Sequence, residues 1–186
     1  MTASIILGLN QRRAFRKLVS NSRERLYRMA FAWTHNPHLA DDLVQQALYK
    51  ALSNQKQLKD LAAAEAWLFR ILSNCLKDHY RAKREMLSAD ELTIPDRDTP
   101  ERKSEQQELV DKVRSAIGEL PLPQRQVVTL VDLEGFTYAS VADILEIPVG
   151  TVMSRLCRGR RALKEHLIDV RPGRQPARTS VLKRVK

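Results

Sequence analysis

Cysteine is nearly absent from this 186-residue chain. Cys75 and Cys157 lie far apart in apolar helical patterns, with no CxxC pair and no histidine cluster around them, so neither a disulfide framework nor a zinc ribbon is expected. Both are expected as reduced core residues. The six glycines form no GxGxxG or GxxxxGK loop, and GxSxG and HExxH are missing, so no residue pattern announces an enzyme. No apolar run approaches the roughly 18 residues of a membrane span, and the start MTASIILGLNQRR has too short an apolar stretch for a secretory signal. A cytoplasmic protein without membrane insertion is expected. His35, His38 and Asp42 are too few for a metal site, and the adjacent Asp41 and Asp42 point apart on a helix, which excludes a two-metal carboxylate centre. No metal, cofactor or small-molecule substrate is expected.

What the chain has in quantity is positive charge. Lys and Arg total 32 against 22 Asp and Glu, a net +10, while 43% of residues are hydrophobic and 29% charged. That composition folds, and its charge points to a polyanionic partner: nucleic acid, an anionic membrane surface or an acidic protein. The length suits one domain or two small ones. Charge divides the chain further. Residues 1–87 carry +8, residues 88–108 carry −4, residues 109–170 are neutral and residues 171–186 carry +6. The acidic block holds two prolines and no sustained apolar period, so it reads as a linker between two modules. The tail RPGRQPARTSVLKRVK cannot bury enough apolar surface to fold and reads as disordered.

Apolar periodicity predicts helices throughout. In the first module they cover residues 12–34, with an interruption near 20–22, then 38–52 (Leu39, Leu43, Ala47 and Leu48 inward, Val44 and Ala51 flanking) and 63–84. The last places Leu68, Ile71, Leu72, Cys75 and His79 on one side and Arg70, Asn74, Lys77 and Arg81 on the other. In the second module helices are predicted over 105–119, 123–133, a short one N-capped by Thr137 through Leu145, and 149–167 with Val152, Leu156, Leu163 and Leu167 inward. The fold class is all-α, two small helical domains joined by a flexible acidic linker.

Three patterns carry function. The last two helices, joined by a three-residue turn, have helix-turn-helix proportions; Thr151, Arg155 and Arg158 share one face, Arg160, Arg161 and Lys164 flank it, and residues 149–164 contain no acid. An ordinary solvated basic helix is the bland alternative, although such helices usually interleave Glu. The run NCLKDHYRAKRE combines Asn74, Lys77, Asp78, Tyr80, Arg81, Lys83 and Arg84, suited to partly unstacked DNA whose bases stack on an aromatic and bond to an amide. A basic helix end complementing its own dipole explains it equally well. Asp41, Asp42, Gln45 and Gln46, early in the second helix, form either a protein-docking surface or an ordinary acidic helix start.

ADDLVQQ at 40–46, AWLFRILSNCLKDHYRAKR at 66–84, LPLPQRQVV at 120–128 and FTYASVADILEIPVGTVMSRLCRGRRAL at 136–163 together resemble an extracytoplasmic-function (ECF) sigma factor of bacterial RNA polymerase, of the sigma-70 family. The resemblance spans about residues 10–168. It implies a sigma-two-like domain at 10–87, an acidic linker at 88–104, a sigma-four-like domain at 105–168 and a basic tail at 169–186 with no assigned role. Asp42 and Gln45, with Asp41 and Gln46 beside them, would dock on the β′ clamp helices of core polymerase. Asn74, Asp78 and Arg81, with Lys77, Tyr80 and Arg84, would open the minus-ten element and hold a flipped base. Thr151, Ser154, Arg155 and Arg158 would face the minus-thirty-five element, with Arg161 near phosphate. The implied partners are core polymerase (β′ clamp helices and β flap), promoter DNA and an anti-sigma factor that holds the protein inactive until a stress signal, in the cytoplasm or at the inner membrane. The linker would thread the RNA-exit region, as a nucleic-acid mimic or a plain tether. Two positions depart from the family pattern: Ser140 where Glu is common, and Gly159 where alanine is usual, a defect in the recognition helix that costs about 1 kcal/mol of helix propensity. The rival reading is a stand-alone helix-turn-helix regulator that binds DNA without polymerase.

Overall fold

A computed structural model of the chain describes residues 2–58, 60–86 and 105–169. They form seven α-helices: α1 (Thr2–Thr34), α2 (Pro37–Ser53), α3 (Ala64–Met86), α4 (Glu105–Glu119), α5 (Leu122–Val128), α6 (Tyr138–Leu145) and α7 (Val149–Asp169). No strand occurs among the described residues. The acidic segment 88–104 and the basic tail lie outside them, except that Asp169, expected in the tail, closes α7.

α1 runs unbroken through the expected interruption because buried Ser22 turns its hydroxyl onto the Leu18 carbonyl at 2.8 Å, leaving no polar group to solvate. The helix ends at His35, whose φ of 50° is left-handed. Asn36 then accepts a hydrogen bond from the Leu39 N–H at 2.9 Å and Pro37 takes the first turn of α2, so one dipeptide closes one helix and caps the next. The buried seam of α2 is Ala40, Leu43, Val44, Ala47 and Ala51. It is rotated from expectation: Leu39 and Leu48 are only partly covered, while Val44 and Ala51 are central. On α3, Leu68, Leu72 and Cys75 are buried as expected, and Phe69, Ser73 and Leu76 are buried as well; Ile71 and His79 are only half-buried. A one-sided pattern predicted a single buried face, whereas α3 is covered on two sides.

The second cover is the other module. Its helix expected over 123–133 is α5 followed by a π turn at Thr129–Leu133, which sets the wholly buried Thr129 towards α1. α6 starts at Thr137, which accepts from the Ser140 N–H at 3.1 Å; the Ser140 hydroxyl closes on the same oxygen at 2.9 Å, so the side chain that replaces Glu still joins the cap. α7 crosses α5 so closely at Gly159 that an added Cβ would sit 2.6 Å from Val128 Cγ2. The glycine that looked like a helix defect is the contact that lets the two helices meet.

The two modules share one continuous hydrophobic cluster, and polar contacts stitch it together. The buried Trp33 indole donates to Thr129 Oγ1 at 2.8 Å. Arg125 spends its guanidinium on carbonyls: Nη1 donates to Trp33 O at 2.7 Å, Nη2 to Leu120 O at 2.9 Å and to Gly118 O. Arg25 binds Glu134 through Nε (2.9 Å) and Nη2 (2.8 Å), and Glu65 through Nη1 (3.0 Å). Phe69 meets Phe136 edge-on at 5.1 Å. His35 sits at the same joint. An Arg can only donate, so His35 Nδ1, 3.3 Å from Arg125 Nη1, must accept; a carbonyl can only accept, so Nε2 donates to Arg114 O at 3.4 Å. That arrangement requires the neutral ring. Packing of α4 and α5 over its nitrogens pushes the imidazole below its ordinary value, and the Arg125 charge adds to the effect.

Two expectations follow. Gly159→Ala gains about 1 kcal/mol of helix propensity but overpacks a stiff, buried valine at a cost of about 1–3 kcal/mol, so the melting temperature should fall by a few degrees in a thermal scan; a rise would refute the close contact. His35 takes its proton first in the unfolded chain, so the stability it contributes at neutral pH is lost as pH falls below about 6.5. Melting curves from pH 7.5 to 5.5 should show the wild type losing more stability than His35→Asn, whose side chain tolerates the left-handed backbone; parallel losses would dismiss His35 as the source.

Candidate nucleic-acid and polymerase interfaces

Along α3 the residues expected at the minus-ten element divide into two groups. Tyr80, Arg81 and Arg84 stand exposed, Tyr80 with its ring edge-on to His79 at 5.6 Å. Asp78 is exposed and pairs with Lys50 of α2 at 3.3 Å. Asn74 and Lys77, one turn earlier, face the helix-turn-helix. Lys77 Nζ donates to Asn74 Oδ1, to Leu145 O and to Glu146 Oε2, each at 3.1 Å. Arg70 Nε lies 3.4 Å from the other Glu146 oxygen. The Lys77 hydrogen bond, first among several contacts, holds the Glu146 carboxyl below the usual carboxylate range. Lys50, Asn54, Trp67, Arg70 and Asn74 line an open cleft of about 360 Å³ between α2 and α3, with Glu146 also in its lining.

On α7, Val152 and Leu156 are buried and Leu163 and Leu167 half-buried, which turns the basic side outward as expected. Ser154, Arg158 and Arg161 are exposed; Thr151 and Arg155 are half-buried along the same edge. Arg158 Nε donates to Ser154 O at 3.2 Å and Nη2 to Ser154 Oγ at 3.4 Å, folding the guanidinium along the helix. Arg160 is held by Asp132 of the π turn, its Nε donating to Oδ2 at 3.1 Å. Cys157 is exposed on this surface, not in the core; only Cys75 is buried, and both are free thiols. The apolar spacing around residue 157 follows Leu156, one position off.

On α2, Asp41 is already engaged, pairing with Arg23 at 3.4 Å and accepting from Gln45 Nε2 at 2.7 Å. Asp42 and Gln46 stand exposed beside it. Next to them Tyr49 is 73% exposed, one turn beyond Gln45 and Gln46. Sequence reading passed over Tyr49, although its helical spacing from the glutamines was available. It also missed Trp67 and Glu146 as parts of the cleft. Glu146 carried no signal: it is a left-handed, non-glycine residue (φ 59°) in a turn, and its partners lie about 70 positions earlier. No cluster of three or more metal-ligating side chains occurs among the described residues, and no described helix is long and apolar enough to cross a membrane.

The chain matches two family descriptions in tandem, Sigma-70 region 2 over residues 18–85 and Sigma-70 region 4 over residues 111–163. It is 30% identical to the ECF RNA polymerase sigma factor SigW of Bacillus subtilis over 169 residues, covering 84% of this chain and 90% of that protein. It is 35% identical to the ECF RNA polymerase sigma factor EcfG of Rhodopseudomonas palustris over 135 residues, covering 72% and 74%. The sigma factor RpoE of Bartonella quintana, solved in complex with the anti-sigma factor NepR, superposes with a TM-score of 0.74 at 28% identity, over 85% of this chain and 99% of that one. Two helical modules in the order region 2 then region 4, the second ending in a basic helix-turn-helix, make this chain a member of the extracytoplasmic-function sigma factors of bacterial RNA polymerase.

Proposed function

We propose a division of labour among the surfaces of this sigma factor. As a member of its family the chain binds core RNA polymerase and directs promoter-specific transcription initiation. Asp42, Gln45 and Gln46, with Tyr49 beside them and Asp41 tying Gln45 in place, dock on the β′ clamp helices. Asn74, Lys77, Asp78, Tyr80, Arg81 and Arg84 open the minus-ten element, and the cleft beside Trp67 takes a flipped base. Thr151, Ser154, Arg155 and Arg158 read the minus-thirty-five element, and Arg161 holds phosphate. The observation that carries this reading is the presence, on one chain, of an open cleft beside a cationic helix and a separate acid-free recognition helix. A stand-alone regulator has no use for the first of these, and the match of residues 18–85 to Sigma-70 region 2 disfavours it.

By analogy with RpoE bound to NepR, an anti-sigma factor restrains this chain until a signal arrives. The described helices contain no membrane span, which fits a protein that works in the cytoplasm with polymerase. The residue assignments are tested in two steps. The purified chain should co-elute with core polymerase in size exclusion, and tight sequence-specific duplex binding without co-elution would return the chain to the regulator class. On a promoter selected with that holoenzyme, Arg155→Ala should cost about 1–3 kcal/mol in discrimination between bases, whereas Arg161→Ala should weaken binding evenly; equal, sequence-independent losses would reject Arg155 as a base reader.

A further inference from the structure

The buried edge of α7 is Val152, Leu156 and Gly159, so the side of the helix turned to solvent is the opposite one. Met153, Ser154, Cys157, Arg158 and Arg161 recur there at steps of three and four, and all are exposed. Not all of that side is polar. Val149, Met153 and Cys157 follow one another at i, i+4 and i+8 and form an apolar ridge along it: Val149 is 43% and Met153 54% exposed, and Cys157 is an exposed free thiol. Ser154, Arg158 and Arg161 run beside the ridge. We propose that Met153 and Cys157 recognise the 5-methyl groups of thymines in the minus-thirty-five element, an apolar determinant of promoter choice that rests on α7 being the helix that enters the major groove there.

Three features favour a base edge over a protein as the occupant. The thymine methyl is the apolar group that base pairs present in the major groove, and contact with it is the one kind of base readout that an apolar side chain can make. The surroundings of the ridge suit DNA: residues 149–164 hold five cations and no acid, and Arg158, Arg161 and Lys164 on the same side are exposed, whereas the core of a protein interface is depleted of charge. Finally, the ridge is left bare. Long cationic side chains commonly lay their stems over neighbouring apolar surface. Arg158, next to Cys157 in the chain, is instead folded onto the carbonyl and hydroxyl of Ser154, and Arg160, one turn beyond Cys157, is tied to Asp132. Positions four apart on a helix are separated by about 6 Å along its axis, against about 3.4 Å for one base step, so Met153 and Cys157 address different base pairs. The unbranched Met153 side chain adapts to the methyl it meets, and the short Cys157 thiol requires the helix to approach closely.

Deoxyuridine differs from thymidine by that methyl group alone, which makes it the probe. Holoenzyme formed with the full chain is titrated with duplexes of its selected promoter in which each thymine of the minus-thirty-five element is replaced in turn by deoxyuridine, and with one duplex in which the whole element is scrambled. Wild type should lose about fourfold in affinity at each of two positions, the worth of one buried methyl group. Met153→Ala should bind the thymine duplex about fourfold more weakly and become indifferent to deoxyuridine at one of the two positions; Cys157→Ser should do the same at the other. Both side chains are exposed, so neither change disturbs the core. An element without thymine, equal affinity of wild type for every deoxyuridine duplex, or discrimination that both variants retain would each overturn the ridge as a thymine reader. Equal losses by Met153→Ala on thymine and deoxyuridine duplexes, together with weaker co-elution with core polymerase, would overturn it in favour of a protein contact. Indifference of wild type to the scrambled duplex would instead remove α7 as the minus-thirty-five helix, and the ridge with it.

Discussion

A buried indole N–H must find an acceptor, and in this chain the acceptor lies on the other module. Trp33 is 1% exposed at the end of α1, and its hydrogen bond goes to Thr129, fully buried 96 residues later. Leaving that donor unmade would cost about 1–3 kcal/mol, so the pairing fixes how the modules meet. The π turn exists where Thr129 must face α1, and Arg125, one turn earlier, gathers the carbonyls at the ends of α1 and α4. From this point outward the remaining contacts fall into place: Phe69 on Phe136, Arg25 on Glu134, Lys77 on Glu146.

Charge distribution completes the arrangement. The first module is strongly positive, and the second carries five of its eight cations on α7. Glu134 and Glu146 meet Arg25, Arg70 and Lys77 of the first module, and Asp132 meets Arg160. The polyanion implied by +10 is therefore met in part from within. Such pairing is weak at each exposed site, but it selects which faces meet and which stay open to DNA.

Much of the fold was legible. The bounds of α4, the Thr137 cap and the inward face of α7 follow from local rules, because capping and helical period depend on residues a few positions apart. The misreadings share one physical origin. The break expected near Ser22, the core position expected for Cys157 and the defect expected at Gly159 were judged from local pattern alone. A buried serine can bond its own helix, a cysteine one position from the apolar stripe can face solvent, and a glycine can mark a close crossing with Val128. The candidate site was legible where it lies on one helix, as with Tyr80, Arg81, Arg84 and the exposed edge of α7. It was not legible where two elements build it, as in the cleft between α2 and α3.

By itself the sequence determined the helices, their order in two modules, the acid-free recognition helix and the likeness to a known family, all of which are carried by residues near one another in the chain. Only the tertiary structure decided that Thr129 answers Trp33, that His35 must be neutral between Arg125 and Arg114, and that Glu146 lies on Lys77 and Arg70. These contacts join positions 69 to 96 residues apart, or depend on which nitrogen faces which partner. Periodicity says which side of a helix is apolar; the identity of the covering surface is a property of packing, and in this chain that surface carries the carboxylate that meets Lys77 and Arg70.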